Sequence, residues 1–379
     1  MYRPARSKLV LAVLFCAFPL SASANLVIVD YSILDLGVPS RNARFGFSSQ
    51  AASISDTGRV VGTWFTTAAS TTEQGFRSSI AGGNYKLLDL GLPAGVQRLA
   101  PTGVNSSGTT VGWIRRSGTD HALYNGTEIA GVQGRSQLLA VNDKGQAVGF
   151  DASAGGKDQA LYYAGTGNAT SIAKLKGIES RAQAVNEFGG VVGYYVENSI
   201  RHAFAYDTDT ASLLTLPTLG SGASAAAGIN DSGLITGNFA TQPGGPQHAF
   251  LFDGKEAHDL GVPAGYTDSS GLAISNQGWV IGEARGDNGR TAFLSVASTL
   301  FDLSDLADLA GAGWLSLDVA TSINNGNVIV GQGTLLDGSK RAFLLTLNLR
   351  QTAPVPEPGS WAFLVAGAAF LAGRIRRGV

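Results

Sequence analysis

The feature that most constrains this chain is a nine-residue pattern that occurs seven times. Each copy has an aliphatic residue, Asn or Ser, two turn-forming residues, Gly, and then a short β-branched run that ends in a second Gly. The copies begin at Ile54, Val104, Val141, Val185, Ile229, Ile274 and Ile323. Their closing glycines are Gly62, Gly112, Gly149, Gly193, Gly237, Gly282 and Gly331, which lie 50, 37, 44, 44, 45 and 49 residues apart. Such a period indicates a repeat architecture, whose units bury a core only by packing on one another.

Each copy of the pattern predicts a β-hairpin. Asn or Ser at the first turn position and Gly at the fourth are typical of a type I turn, because Asn can bond the following backbone and Gly adopts a positive φ. In the seventh copy Asn327 takes the place of this Gly, and Asn also tolerates left-handed geometry. The closing glycine lies inside a strand, which predicts a kink or a position without room for a side chain.

Two further strands follow each hairpin. The third combines small and aromatic residues and reads Gly75-Phe76, His121-Ala122-Leu123, Gln159-Ala160-Leu161, His202-Ala203-Phe204, His248-Ala249-Phe250, Thr291-Ala292-Phe293 and Arg341-Ala342-Phe343. The fourth ends in Asp-Leu-Gly at Gly91 and Gly261, with looser versions elsewhere. Four strands in about 45 residues form one propeller blade. We therefore predict an all-β fold, a seven-bladed β-propeller of four-stranded repeats, over residues 25–353.

The two ends of this region complement each other. The last repeat stops after its third strand, near Leu347, whereas the region begins with an isolated fourth strand, Tyr31 to Gly37. In a ring, the N-terminal strand can complete the last blade and cover its edge. We expect closure of this kind because an open solenoid has no use for the arrangement.

Composition agrees with a compact, turn-rich β protein. The chain is 44% hydrophobic and 15% charged, with 51 glycines among 379 residues. A chain this apolar is not disordered, and its low charge and abundant glycine argue against a helical bundle.

The first 24 residues have the layout of a secretory signal peptide. Three basic residues, the last of them Lys8, precede the apolar residues 9–18, and small residues that include Ala22 and Ala24 follow. This order predicts export by the Sec route and cleavage after Ala24. A transmembrane anchor would need about 20 apolar residues.

Cys16 is the single cysteine of the chain. It follows the bulky Phe15, whereas a lipoprotein signal has small residues before its cysteine. We therefore expect no lipidation and a mature protein without disulfides.

The C-terminal residues 354–379 contain three ordered elements: a Pro-Glu-Pro motif, an apolar stretch over 361–372 and a basic cluster. A short terminal membrane helix or a packed last helix would also fit the apolar stretch, which is short for a stable span. The tail resembles the PEP-CTERM sorting signal of Gram-negative bacteria, with Ile375 interrupting the basic cluster. The matching residues are Val355, Pro356, Glu357, Pro358, Arg374, Arg376 and Arg377. The resemblance implies a short hydrophobic helix held transiently in the inner membrane and cleavage by an exosortase-type protease.

The repeats themselves resemble a known family. The series Ile-Asn-x-x-Gly-x-Val-Val-Gly, His-Ala-Phe and Asp-Leu-Gly is similar to that of the HAF-repeat extracellular proteins, which often carry PEP-CTERM tails. The likeness spans the whole region between the two ends, although His stands in three of the seven copies. It implies an extracellular or cell-surface location and repeated β structure, and it implies no activity.

The charge of the mature region restricts its partners. The full chain has 27 basic and 28 acidic residues, of which the signal holds three basic and the tail three basic and one acidic. The remaining 21 basic and 27 acidic residues give a net charge of −6. Nucleic acids and other polyanions are therefore not expected as partners.

Three histidines, His121, His202 and His248, suggest metal ligands, because His is a common ligand of transition metals. They fall on separate blades, and the other copies have Gly, Gln, Thr or Arg at this position. The pattern favours a structural role, in which a residue at the start of a strand bonds neighbouring backbone. His258 belongs to a different strand. We predict no metal and no cofactor.

Recurring carboxylates could form a catalytic ring or bind calcium. They are Asp35, Asp89, Asp259 and Asp302. One Asp at a fixed strand end is more typical of a residue that bonds adjacent backbone amides, and Asp207 and Asp209 are typical of a solvated turn. The sequence has no phosphate-binding glycine loop, no Gly-x-Ser-x-Gly motif and, after cleavage, no cysteine nucleophile. We predict no catalytic residues.

The tryptophans give one further candidate. Trp64, Trp113, Trp279 and Trp314 are expected mostly in the core. Trp64 and Trp113 lie close after closing glycines and could present a stacking face to a sugar.

Two functions remain open. The first is a noncatalytic surface or matrix protein of the kind found in biofilms, which binds exopolysaccharide or a surface protein through propeller loops. The second is a secreted carbohydrate-active hydrolase or lyase. The two differ in whether several acidic side chains converge at one end of the central channel.

Overall fold

The computed structural model describes residues 26–39, 47–65, 73–81, 84–132, 134–152, 156–217, 219–220, 222–297, 299–306 and 308–351. The signal peptide with Ala22 and Ala24, the sorting motif and the C-terminal helix lie outside these residues. Within the described ranges no helix is long and apolar enough to cross a membrane.

The strands of the described chain form seven four-stranded sheets in a ring. The predicted seven-bladed propeller is therefore confirmed. The first strand is β1 (Leu26–Gly37). Blade 1 contains β2 (Ser48–Ile54), β3 (Val60–Phe65), β4 (Glu73–Ala81) and β5 (Asn84–Asp89); blade 2 contains β6 (Val96–Val104), β7 (Thr110–Arg116), β8 (Thr119–Tyr124) and β9 (Thr127–Glu128). Blade 3 contains β10 (Ser136–Val141), β11 (Ala147–Asp151), β12 (Gln159–Tyr163) and β13 (Thr170–Ser171); blade 4 contains β14 (Ser180–Val185), β15 (Gly190–Glu197), β16 (Ile200–Asp207) and β17 (Ser212–Thr215).

The remaining blades follow the same order. Blade 5 contains β18 (Ser224–Ile229), β19 (Ile235–Ala240), β20 (Gln247–Phe252) and β21 (Ala257–Gly261); blade 6 contains β22 (Asp268–Ile274), β23 (Val280–Gly286), β24 (Gly289–Val296) and β25 (Thr299–Asp302). Blade 7 contains β26 (Trp314–Ile323), β27 (Val328–Leu335), β28 (Lys340–Gln351) and β1. Two short 3₁₀ helices, Ala173–Leu175 and Leu303–Asp305, lie between blades.

The N-terminal strand closes the ring, as predicted. The strand order in blade 7 is β1-β28-β27-β26, so β1 is the fourth strand of the blade that ends the chain. Leu36 of β1 is buried in a cluster with Leu344 of blade 7 and with Ala51 and Trp64 of blade 1. Among the described residues, 26–31 and 347–351 belong to one compact unit and 32–346 to another.

The hairpin turns have the predicted geometry. In blade 2 the Gly108 N–H donates to the Asn105 carbonyl at 3.0 Å, and Gly108 has φ of +93°. Asn327 adopts the same left-handed region with φ of +57°. The fourth turn position therefore selects Gly or Asn because other residues are strained there.

The closing glycine lies where no side chain fits. A Cβ added to Gly149 would lie 1.9 Å from the carbonyl oxygen of Gln137 on the paired strand. The seven closing glycines share this contact, at 1.9–2.3 Å, and each faces a β-bulge in the first strand of its blade. The bulge brings the two backbones together, so the glycine follows from close approach rather than from φ.

The His-Ala-Phe segment is a packing element. In blade 4, Ala203 and Phe204 are both fully buried, and the Ala203 N–H donates to the Ser224 hydroxyl of the next blade at 3.0 Å. Equivalent bonds join Ala122 to Ser136, Ala160 to Ser180, Ala249 to Ser269 and Ala342 to Ser49. The small residue admits the neighbouring blade, and the aromatic or aliphatic residue after it fills the space between the sheets.

Candidate functional site

The seven hairpin turns meet at one mouth of the central channel, which we call the turn face. They surround a cavity of about 210 Å³ whose walls are aliphatic, Asn or Ser, and acidic or Asn side chains from every blade. Beyond it, a second cavity of about 200 Å³ is lined mainly by small residues of the inner strands.

The turn asparagines form a ladder between blades. Each donates its side-chain Nδ2 to the carbonyl oxygen of the equivalent residue in the next blade. The pairs are Asn105 to Asn142 (2.9 Å), Asn142 to Asn186 (2.8 Å), Asn186 to Asn230 (3.0 Å), Asn230 to Ser275 (3.0 Å) and Asn324 to Ser55 (3.1 Å). The repeat pattern predicted only a local turn role for these asparagines, and it did not predict the contact between blades.

A second ring lies one residue later in each turn. In six of the turns the backbone N–H donates to a side-chain oxygen of the next blade's turn. The acceptors are Asp143, Glu187, Asp231, Asn276, Asn325 and Asp56, at 2.6–2.9 Å. We call Asp56, Asp143, Glu187 and Asp231 the acidic ring. Several acidic side chains therefore do converge at one end of the channel, and each accepts a backbone hydrogen bond.

Glu187 shows the electrostatic consequence of this arrangement. Burial raises the pKa of its carboxyl, and the charges of Asp143 and Asp231 raise it further. The hydrogen bond from the Asp143 N–H and the charge of Lys144 oppose this rise and only partly offset it. Glu187 is therefore an acceptor in a ring of like charge, and the ring holds adjacent blades together.

The four carboxylates singled out in the sequence have the local role that was favoured. Each accepts the backbone N–H of the residue two positions later: Asp35 from Gly37 (2.7 Å), Asp89 from Gly91 (2.9 Å), Asp259 from Gly261 (2.7 Å) and Asp302 from Ser304 (2.8 Å). They lie on the fourth strands of blades 7, 1, 5 and 6. Asp207 likewise accepts the N–H of Asp209 at 2.9 Å, which confirms the predicted turn.

The histidines are also structural, but their partners are side chains rather than the predicted backbone. His248 Nδ1 lies 2.9 Å from Asp259 Oδ2, and His202 stacks on Tyr195 with ring centroids 5.3 Å apart. His121 Nδ1 lies 3.5 Å from Glu128 Oε2. Among the described residues, His, Cys, Asp and Glu nowhere gather in groups of three that could hold a metal ion.

The tryptophans require a correction. Trp64 is buried and its Nε1 donates to Asp89 Oδ1 at 3.3 Å, so it presents no face to a sugar. Trp314 is buried as expected, and Trp279 is half-buried. Trp113 is half-buried between two arginines and belongs to a surface that no sequence motif predicted.

That surface lies on the opposite side of the propeller, which we call the loop face. There Arg98 pairs with Glu73 of blade 1. The guanidinium carbons of Arg98 and Arg115 lie 5.2 and 5.5 Å from the centroid of the Trp113 ring. Arg115 also donates to Asp120 through Nε and one terminal nitrogen, at 2.6 and 3.1 Å.

The same arrangement continues into blades 3 and 4. Asp158 accepts hydrogen bonds from Arg135 and from Arg181 Nε, the latter at 2.7 Å. The two guanidinium carbons lie 5.1 and 4.2 Å from the centroid of the Phe150 ring. Gln137 Nε2 donates to Asp120 at 2.8 Å and links the two halves. We call Arg98, Arg115, Arg135 and Arg181 the arginine cluster.

A groove of about 390 Å³ lies on blade 2. Arg116, His121 and Glu128 form part of its polar rim, and Ile129 and Val132 are apolar walls. It forms where the fourth strand, β9, has only two residues. Its volume falls within the range of small-ligand sites.

The fold is that of a seven-bladed β-propeller, and solved structures with a similar fold exist. The fold matches 82 chains of known structure. An oligogalacturonate lyase from Vibrio parahaemolyticus aligns with a TM-score of 0.51 at 7% identity, over 86% of this chain and 98% of that one. A putative TolB from Agrobacterium tumefaciens aligns with a TM-score of 0.43 at 12% identity, over 65% of this chain and 89% of that one. A TolB from Acinetobacter baumannii gives a TM-score of 0.38 at 13% identity, over 81% of this chain and 65% of that one.

Sequence comparisons add no relative. No protein-family model matches the chain. No curated protein matches it either. At 7% identity, the likeness to the lyase extends to the propeller fold alone.

Proposed function

We propose that this protein is an exported, noncatalytic repeat protein of the cell surface or extracellular matrix, which binds a glycan or protein partner through its loop face. The observation that carries the proposal is the contrast, within each blade, between the hairpin turn that joins the first and second strands and the connection that joins the second and third strands. The hairpin turns of the turn face have four or five residues in every blade. On the loop face, the connections between second and third strands vary from two residues, between Arg116 and Thr119, to seven, between Phe65 and Glu73.

This contrast separates scaffold from variable surface. Turns of four or five residues, joined by the asparagine ladder and the acidic ring, support a role in holding the ring closed. Connections that differ from blade to blade are where binding residues are placed on a rigid scaffold. The arginine cluster and the groove both lie on the loop side.

The alternative, a carbohydrate-active hydrolase or lyase, draws on the acidic ring. Glycoside hydrolysis needs one carboxyl that gives a proton and a second that acts as nucleophile or base. Each carboxylate of the acidic ring accepts a backbone N–H of the neighbouring blade, so one of its oxygens is already engaged in a contact that joins the blades. This supports binding without catalysis.

Export and anchoring complete the proposal. The signal peptide, the HAF-type repeats and the PEP-CTERM-like tail together support a route through the inner membrane to the surface, with an exosortase-type protease as a processing partner.

The test is a glycan-array and surface-protein screen of the exported protein, run beside reducing-sugar release on the same glycans. We expect binding without sugar release. Release that is lost in Glu187→Gln would favour the enzyme, and absence of any bound glycan or protein would refute the proposal.

A further inference from the structure

We infer that the arginine cluster binds a carboxylate-bearing glycan, one that contains uronic acid units, at the loop-face end of the inner strands of blades 2 to 4. This inference rests on the proposed function and names its ligand class and residues.

The arginine cluster exposes hydrogen-bond donors to solvent and buries the carboxylates that accept from them. The side chains of Glu73, Asp120 and Asp158 are 13%, 3% and 7% exposed. Those of the four arginines are 31–46% exposed. A ligand that approaches this surface therefore meets guanidinium groups, while the carboxylates beneath fix their positions.

The guanidinium groups of the cluster have more N–H donors than their described hydrogen bonds use. A guanidinium carries five N–H groups. Among the described residues, Asp120 takes two of them from Arg115, and Asp158 takes one from Arg135. Arg98 donates one N–H, from a terminal nitrogen, to Glu73. Carboxylates are the acceptors that guanidinium groups bind with two parallel hydrogen bonds.

Aromatic rings of blades 2 and 3 hold the guanidinium groups of the cluster in position before a ligand binds. Arg98 and Arg115 lie against Trp113, and Arg135 and Arg181 lie against Phe150, at 4.2–5.5 Å from the ring centroids. Stacking on an aromatic ring restricts the guanidinium plane, so less conformational freedom is lost when a ligand binds. The charge of Arg115 also adds to burial in lowering the pKa of Arg98, and an anion between the two would relieve this repulsion.

The net charge of the cluster and the polar groups of the groove indicate which kind of anion would bind. Four arginines over three carboxylates leave a small positive excess, which suits a ligand with spaced single charges better than a dense polyanion. The neighbouring groove adds the neutral hydroxyls of Ser117 and Thr119 and the acceptor Glu128, which match sugar hydroxyls. Arg116 and Gly134 of the groove are next in sequence to Arg115 and Arg135 of the cluster.

The experiment compares two tetrasaccharides that differ only in the acid group. Calorimetric titration of the exported protein would use a β-1,4-linked glucuronate tetramer and cellotetraose, in which each carboxylate is replaced by a hydroxymethyl group. We expect the glucuronate tetramer to bind at least about tenfold more tightly, with an affinity that falls as salt rises. Equal affinity, or tighter binding of an acidic peptide or inorganic phosphate, would overturn the inference.

A matched pair of variants locates the site. Arg135→Gln leaves Asp158 paired with Arg181, and Arg290→Gln leaves Glu283 paired with Arg285. The two replaced arginines are similarly exposed, at 46% and 44%, but Arg290 lies in blade 6, outside the cluster. We expect Arg135→Gln to weaken glucuronate binding about tenfold, Arg135→Lys to weaken it less, and Arg290→Gln to leave it unchanged.

Thermal unfolding of each variant distinguishes lost binding from lost folding. Equal weakening by Arg135→Gln and Arg290→Gln, with unchanged melting temperatures, would refute the assignment to the cluster. If the exported protein binds a neutral glycan or a protein but not glucuronate, this inference fails and the proposed function stands. If it binds none of them, both fail.

Discussion

Asn324 donates its side-chain Nδ2 to the backbone carbonyl of Ser55 at 3.1 Å, although the two residues are 269 positions apart. The bond joins blade 7 to blade 1 and is the last step of a ladder that otherwise connects turns about one repeat apart. A contact so distant in sequence forms only when the ring is closed, so the same Asn type serves both the local turn and the global closure.

The ladder predicts a graded loss of stability. Asn186 accepts N–H bonds from Gly190 and Phe188 and donates to the Asn230 carbonyl. We expect Asn186→Ala to lower the free energy of unfolding by about 1–3 kcal/mol, because it leaves partly buried groups without partners. Asn186→Ser should cost less, since Ser275 accepts the Trp279 N–H at the same place in blade 6. Denaturant unfolding measures both variants. Phe188→Ala, at a side chain 67% exposed, is the control and should change stability little.

Closure by β1 predicts a large effect at one leucine. Leu36 is 7% exposed and packs between blades 7 and 1, whereas Leu34 on the same strand is 42% exposed. We expect Leu36→Ala to cost about 2–5 kcal/mol and Leu34→Ala much less. Deleting residues 25–38 should cost at least as much as Leu36→Ala, because it removes the fourth strand of blade 7. A deletion variant that melts with the parent would disprove closure by this strand.

The closing glycines predict a steric penalty. Gly149→Ala would place a Cβ 1.9 Å from the Gln137 carbonyl, so the two strands must separate. We expect a loss of at least about 1–3 kcal/mol in thermal or denaturant unfolding. Gly326→Ala is the control, because its Cβ would meet only Asn324 Oδ1, at 3.3 Å, and other blades have Ser, Lys or Phe at this turn position. Similar stability of the two variants would contradict the close approach.

The acidic ring predicts a dependence on pH. Burial is the main cause that raises the pKa of the Glu187 carboxyl above its ordinary value of 4.5. The folded state therefore holds this proton more tightly than the unfolded state. The resulting stability is complete below pH 4.5 and is lost as pH rises through the folded value. Glu187→Gln keeps an oxygen that can accept the Asp143 N–H and removes the charge. We expect it to melt higher than the parent at pH 7, with the advantage shrinking toward acidic pH. The exposed Glu197→Gln is the control, and an equal gain from it would exclude the ring as the cause.

The tail predicts a processing defect. Replacing Pro356, Glu357 and Pro358 by alanine should leave export intact and stop release, so that uncleaved protein accumulates in the inner membrane. The physical reason is the one that the resemblance to the sorting signal implies: a short apolar helix with the terminal arginines would hold the chain in the bilayer, and the proline-bounded motif would present an extended segment to a protease. Mass spectrometry of the mature protein gives the measurement. A released form that still ends at Val379 would show that the tail is not cleaved.

The sequence by itself determined the repeat, the hairpin turns and the number of blades. These are local properties: Asn105 and Gly108 favour a turn through their own side-chain and backbone preferences, and small and aromatic residues alternate within one strand. It also indicated that β1 completes blade 7, because the strand count of the two ends is visible in the chain. The local role of Asp89 and Asp259 followed from their fixed place at a strand end.

Only the tertiary structure decided what happens between blades. Asp56, Asp143, Glu187 and Asp231 are variable turn residues in the sequence. The closed ring brings them to one mouth of the channel through hydrogen bonds that span about one repeat or, between Asn325 and Asp56, 269 residues. The arginine cluster escaped prediction for the same reason, since Arg98, Arg135 and Arg181 come from three blades and have no common motif. The repeat pattern in the sequence indicates which residues occupy the same position in each blade. A binding surface depends instead on the few blades in which the residue at that position differs.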